Sequence, residues 1–159
     1  MKPIPRDLEH RITYRVRPAH IVHRIFPGVA VFADKPPVMA SGFLAALCEW
    51  PAMEALAPYL DRHEYCVGHR VSMEHLRPIE PGTALTAVAH LTIAVRRRSS
   101  WTVVVCDARQ TVALAEVGLA VLQRQIPAVV GQQHQCLAPQ QDRFQAGDLV
   151  LPEQVTQRP

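Results

Sequence analysis

The segment VMASGFLAALCEWPAMEALAPYL, Val38 to Leu60, constrains this chain most. Its apolar residues run nearly all round a helical wheel, and its only charges are Glu49 and Glu54. A helix that is apolar on every side is stable only when other elements cover it. Ser41-Gly42 is a helix start, since a serine hydroxyl can accept a bond from an orphan N–H of the first turn. Pro51 removes one backbone hydrogen bond and crowds the preceding turn, which predicts a kink near Leu47 to Trp50.

The segments around this helix supply its cover. His10 to Val16 alternates as a strand. Pro18 to Pro37 holds four prolines and no sustained period, the mark of a long loop with at most a short helical turn. Cys66 to His75 alternates, with Val67, His69, Val71, Met73 and His75 on one face. Thr83 to Val95 alternates more clearly, with Leu85, Ala87, Ala89, Leu91, Ile93 and Val95 on one face. Arg96-Arg97-Arg98-Ser99-Ser100 closes a hairpin, Trp101 to Cys106 is a strand, and Val112 to Leu122 is the last. One apolar helix followed by an antiparallel meander predicts an α+β fold, a curved antiparallel sheet wrapped around one long central helix. Such a sheet has open edges, which pairing of two copies would cover.

The totals agree with this. A chain of 159 residues, 48% hydrophobic and 19% charged, suits one core that folds without staples. A net charge of +3 is too mild to point to nucleic acid. No apolar run reaches the roughly 20 residues that span a bilayer, and MKPIPRDLEHR lacks the apolar core of a secretory leader. The four cysteines, Cys48, Cys66, Cys106 and Cys136, show no CxxC pairing. Free thiols in a cytoplasmic protein are the expectation. After Ile126 the chain turns rich in Gln and Pro, which divides it into a domain over 1–126 and a C-terminal extension over 127–159.

Glu49 raises the chemical question. Its i±3 and i±4 neighbours are Ala45, Ala46, Ala52 and Met53, none of which can pair with it. A buried carboxylate without a partner protonates or finds one elsewhere in the fold. His75, ending a strand on its apolar face, is the candidate partner. A carboxylate and an imidazole in a low-dielectric cleft form a general base and a proton donor. The residues alone leave a second reading open, in which Glu49 lies on the exposed back of the helix and His75 is an ordinary strand-end histidine.

Other signals are weaker. Cys48 reads as a small buried hydrophobe. His63, Cys66 and His69 have metal-like spacing, but residues three apart on a strand point to opposite faces and cannot converge. His20 and His23 converge only on a helix. No metal or cofactor is expected. Arg96-Arg97-Arg98 suits either a phosphate group or a solvated hairpin tip. Phe26, Phe32 and Lys35 suit either a lid or ordinary loop packing.

The run ASGFLAALCEW–APYL, the Gly68–His75 strand and the Pro81-Gly82 turn resemble the fluoroacetyl-CoA thioesterase group of hotdog-fold proteins. The likeness runs from about residue 10 to 125. It implies a homodimer that hydrolyses small acyl-CoA esters, CoA being part of the substrate and no separate cofactor being used. It assigns catalysis to Ser41, Glu49 and His75. It places Gly68 at the acyl pocket and Phe32 and Lys35 in the lid. On such a substrate, the helix start offers the backbone N–H groups of Gly42 and Phe43 to the thioester oxygen, and Arg97 suits the CoA phosphates through charge-assisted bonds. Lys35 stands where that group has a lid aromatic, and the last strand reads Glu116-Val117-Gly118 in place of a His-Glu-Arg run. The resemblance therefore implies the thioesterase core rather than the fluoroacetyl selectivity. An enoyl-CoA hydratase or dehydratase and a non-catalytic acyl-CoA-binding module are the alternatives. Eight residues of straight helix span about 12 Å, so Ser41 and Glu49 cannot touch along it. A site shared between two chains is the preferred arrangement.

Overall fold

The computed structural model describes residues 1–124, and the extension expected over 127–159 lies outside them. Strand β1 (Glu9–Arg15) leads into a 3₁₀ turn (Pro18–His20) and two single-turn helices, α1 (Val22–Ile25) and α2 (Ala30–Ala33). The long helix α3 (Ser41–Leu56) follows, continued by a 3₁₀ turn over Ala57–Tyr59. Four strands complete the order: β2 (Glu64–His75), β3 (Ala84–Val95), β4 (Arg98–Cys106) and β5 (Thr111–Gln123).

All five strands form one antiparallel sheet in the order β1-β3-β4-β5-β2. Helix α3 packs against every one of them, so the sheet wraps it as the pattern predicted. The meander, however, covers only β3, β4 and β5. Strand β2 crosses to the far edge beside β5, and β1 takes the edge beside β3. Leu44, Leu47, Cys48, Ala52 and Leu56 of the helix meet Leu85, Ala87, Trp101, Val103, Val105, Val117 and Leu119 of the sheet in one core. Each fully buried aliphatic side chain there contributes about 1.5–3 kcal/mol. Among the described residues, no helix is long and apolar enough to cross a membrane.

Pro51 lies buried within the run of α3, and the packing around the helix compensates for one missing hydrogen bond. Two local expectations change. Strand β4 begins at Arg98 rather than Trp101, because Arg96 adopts a left-handed φ of 53° and closes a tight hairpin one turn earlier. The second change is in β2, where the pairing with β5 slips between Gly68 and Arg70. This bulge breaks the alternation read from the sequence. His69 swings onto the outer face, where its ring lies over Gly118, between the buried Val117 and Leu119. Gly68, Met73 and His75 all turn toward the helix. One extra residue in the strand thus puts a glycine and a histidine, seven positions apart, on the same face.

Candidate active site

The first turn of α3 is capped by backbone alone. Ala40 is its N-cap and supplies no side-chain cap. Ser41, expected to cap the helix, is its first residue, and its Oγ lies 3.0 Å from Nδ1 of His75. The turn is anchored from outside by Ala40 N–H donating to the His20 carbonyl (2.9 Å) and Met39 N–H donating to the Ile79 carbonyl (2.7 Å). The N–H groups of Gly42 and Phe43 have no partner within the helix, a set of donors that favours negative charge. Nothing lies within 4 Å of the position a Cβ would take on Gly42, so this turn is open.

His75 is the polar centre of this half of the site. Burial pushes its imidazole below the usual histidine range, against a backbone hydrogen bond with Arg77. The ring is therefore neutral at pH 7. Its Nε2 is sealed from solvent within the chain and has no hydrogen-bond partner. A buried ring nitrogen of this kind is costly unless something meets it.

Glu49 forms the other half. Its carboxylate lies on the backbone of Gly68, where any Cβ would overlap it. A side chain at position 68 would have to push the carboxylate away, because the helix side chain approaches the strand so closely. Burial pushes the carboxyl above the usual glutamate range, and no partner offsets it. The other acid of the helix behaves differently. Glu54 accepts from Nε1–H of Trp50 (2.6 Å) and bonds Nε2 of His10 (2.9 Å), which holds its carboxyl below the usual range.

The two halves do not meet within one chain. Ser41 and Glu49 are about 12 Å apart along the helix. Gly68 and His75 are about 23 Å apart along β2. Ser41 with His75, and Glu49 with Gly68, are two separate pairs.

The remaining candidates sort themselves plainly. The Phe43 ring stacks on His20, with centroids 4.4 Å apart. Phe32 packs on Phe26 at 5.3 Å, and the Lys35 carbonyl accepts from the His23 ring. The loop that carries them is pinned at its base by the bridge between Ile21 and Met39. Arg97 donates to Glu64 (2.7 Å) and to the Val121 carbonyl (3.1 Å), tying the β3–β4 hairpin to β2 and β5. That geometry gives no support to a phosphate role. Cys48 is buried, and burial followed by the nearby Glu49 charge pushes its thiol up to about 12, which leaves no thiolate for chemistry. His63 bonds Arg62, His69 covers Gly118, and His20 bonds the Tyr14 hydroxyl, so none of these rings is turned to a common point.

The sequence reading missed the role of His20 and Tyr14. Their rings stack at 5.7 Å, and Tyr14 meets Trp50 edge-on at 6.1 Å. No local pattern signals such a cluster, since it joins a strand, a loop and a helix.

A model of the family described as "Fluoroacetyl-CoA-specific thioesterase" matches residues 26–125. The fluoroacetyl-CoA thioesterase of Streptantibioticus cattleyicolor is 36% identical over 88 residues, which cover 55% of this chain and 63% of that protein's length. The solved structure of the fluoroacetyl-CoA thioesterase FlK superposes with a TM-score of 0.74 at 29% identity, covering 77% of this chain and 90% of that one. A hot-dog-like protein from Thermanaerovibrio acidaminovorans superposes with a TM-score of 0.64, covering 76% and 84%. At 18% identity this last likeness bears on the fold alone.

Proposed function

The chain belongs to the fluoroacetyl-CoA-specific thioesterase family and has the hotdog fold, and from that premise we propose that it hydrolyses a small acyl-CoA thioester to a free acid and CoA. The observation that carries this reading is the Glu49 carboxylate, raised by burial and held without a partner against Gly68. Its position is that of a general base awaiting a substrate. The Ser41–His75 pair supplies the complementary proton donor.

The reaction proceeds in a site shared by two copies. Strand β2 is an edge of the sheet, 12 residues long. Pairing it antiparallel with β2 of a second copy runs the Gly68 end of one toward the His75 end of the other. Glu49 of one chain then faces Ser41 and His75 of the second. The N–H groups of Gly42 and Phe43 polarise the thioester oxygen as it gains charge. Glu49 takes a proton from water as the water oxygen bonds to the carbonyl carbon. The C–S bond then breaks, and the Ser41–His75 pair gives a proton to the departing thiolate as it takes up the one held on Glu49, so the imidazole stays neutral.

Release of free thiol from a panel of acyl-CoAs tests the reading. A thioesterase liberates thiol, and Glu49→Gln lowers kcat by about 10³-fold or more. Consumption of an enoyl-CoA without thiol release would mark a hydratase. Binding with neither outcome would mark a non-catalytic module.

A further inference from the structure

We propose that an aromatic brace, Phe43–His20–Tyr14–Trp50, sets the positions of Ser41 and Glu49 from the back of the helix, with the Tyr14–His20 hydrogen bond as its keystone. The inference rests on the catalytic reading of Ser41 and Glu49. None of the four brace side chains bonds Ser41, Glu49 or His75, so they are positioning residues.

The brace begins where α3 lacks a side-chain cap. His20 holds that first turn twice. Its carbonyl accepts from Ala40 N–H at 2.9 Å, and its ring stacks on Phe43 at 4.4 Å with 29° between planes. The ring is in turn fixed by the Tyr14 hydroxyl on Nδ1. Tyr14 belongs to β1, opposite Leu85 of β3, so the sheet itself supports the contact. Its own ring then meets Trp50 edge-on.

The spacing on the helix gives the brace its purpose. Phe43 and Trp50 are seven residues apart, two turns and about 10.5 Å. Ser41 lies in the turn of Phe43, and Glu49 immediately precedes Trp50. The four rings therefore span the two turns that carry the reacting groups. A second tie runs parallel to the first. Trp50 Nε1–H donates to Glu54, and Glu54 bonds His10, four residues before Tyr14 and on the same face of β1. Strand β1 thus grips the helix at two points. Without the keystone bond His20 is free to rotate, and the uncapped turn loses its lateral support.

Tyr14→Phe in the full chain is the test, since it keeps the ring and deletes the hydroxyl. The expected result is a kcat about tenfold lower with KM within about twofold, because a small misplacement of reacting groups acts on the chemical step. The melting temperature falls by no more than about 4 °C, the effect of one partly exposed hydrogen bond. The Nδ1 signal of His75 in ¹⁵N spectra also moves, as the Ser41 contact loosens. Parent values of kcat with an unmoved His75 signal overturn the brace, and so does a loss of activity fully matched by loss of folded protein. A parent chain that releases no thiol overturns the thioesterase reading instead. The His75 signal then decides the brace alone, moved in Tyr14→Phe if it stands and unmoved if it falls.

Discussion

Gly68 shows how much a single missing side chain can decide. The Glu49 carboxylate occupies the space a Cβ would take. Gly68→Ala therefore displaces the acid rather than merely crowding it. Thiol release should fall by about 10²-fold or more, the effect of moving a reacting group by an ångström. Glu49→Gln separates function from stability at the same position. Burial raises the folded-state pKa of Glu49, so ionising it weakens the folded state as pH rises through that value. The amide carries no such charge. The variant should be inactive yet melt about 1–4 °C higher than the parent near pH 8, with the gap closing near pH 4 where the parent carboxyl is protonated. A lower melting temperature at pH 8 would show that the carboxylate has a partner after all. The same two shifts predict the acid side of the rate profile. Burial moves the glutamate limb up and the histidine limb down, so a pH–rate profile should show the two limbs closer together than for the free side chains. Glu49 was legible in the sequence because its helical neighbours could not satisfy it. Ser41 was legible as a helix-start residue but not as a histidine partner, since the cap it appeared to form is provided by the Ala40 backbone.

Elements carry their own information, and the β2 bulge is the clearest case. A period of two, read through Gly68 and His69, assigns the wrong residues to the helix face. In the run YCVGHRVSM only Gly68, an isolated strand glycine, hints at a slip, and it fixes neither face nor register. It becomes visible only opposite Gly118, the small residue that leaves room for the displaced His69 ring. Helix α3 and strands β3 to β5 were legible because their patterns are long and one face of each is fully buried. The position of β2 beside β5 was not, since strand order depends on a crossover that no local pattern records. The β3–β4 hairpin offers a test at this scale. Arg97 meets Glu64, whose side chain is only 5% exposed. Removing the guanidinium by Arg97→Ala leaves that carboxylate with the Asp61 N–H and the Met1 amino group, and should lower the melting temperature by no more than about 4 °C. The KM for acyl-CoA should stay within about twofold, because the residue holds strands together rather than phosphate. A several-fold rise in KM with unchanged stability would return Arg97 to the binding site.

At the scale of the whole molecule, the proposed reaction needs groups that one chain holds apart. The proposed base lies against one stretch of β2, and the proposed donor pair lies about 23 Å further along. Both lie on the helix face of an edge strand whose outer hydrogen-bonding groups face no other strand among the described residues. An edge of that length is a ready template for a second copy. Two-fold pairing turns distance along one strand into proximity across two. Mixing two inactive variants tests this directly. Glu49→Gln alone spoils the base of both sites in a dimer, and His75→Ala alone spoils both donors. Co-refolded in equal amounts, the two variants form heterodimers for about half of the dimers. Each heterodimer has one site with both defects and one with neither. Thiol release should therefore return to about a quarter of the parent rate, although each variant alone is inactive. A site assembled within one chain would give no recovery at any mixing ratio. Recovery at that level would place the base and the imidazole in different subunits, and would explain why neither chain alone brings them together.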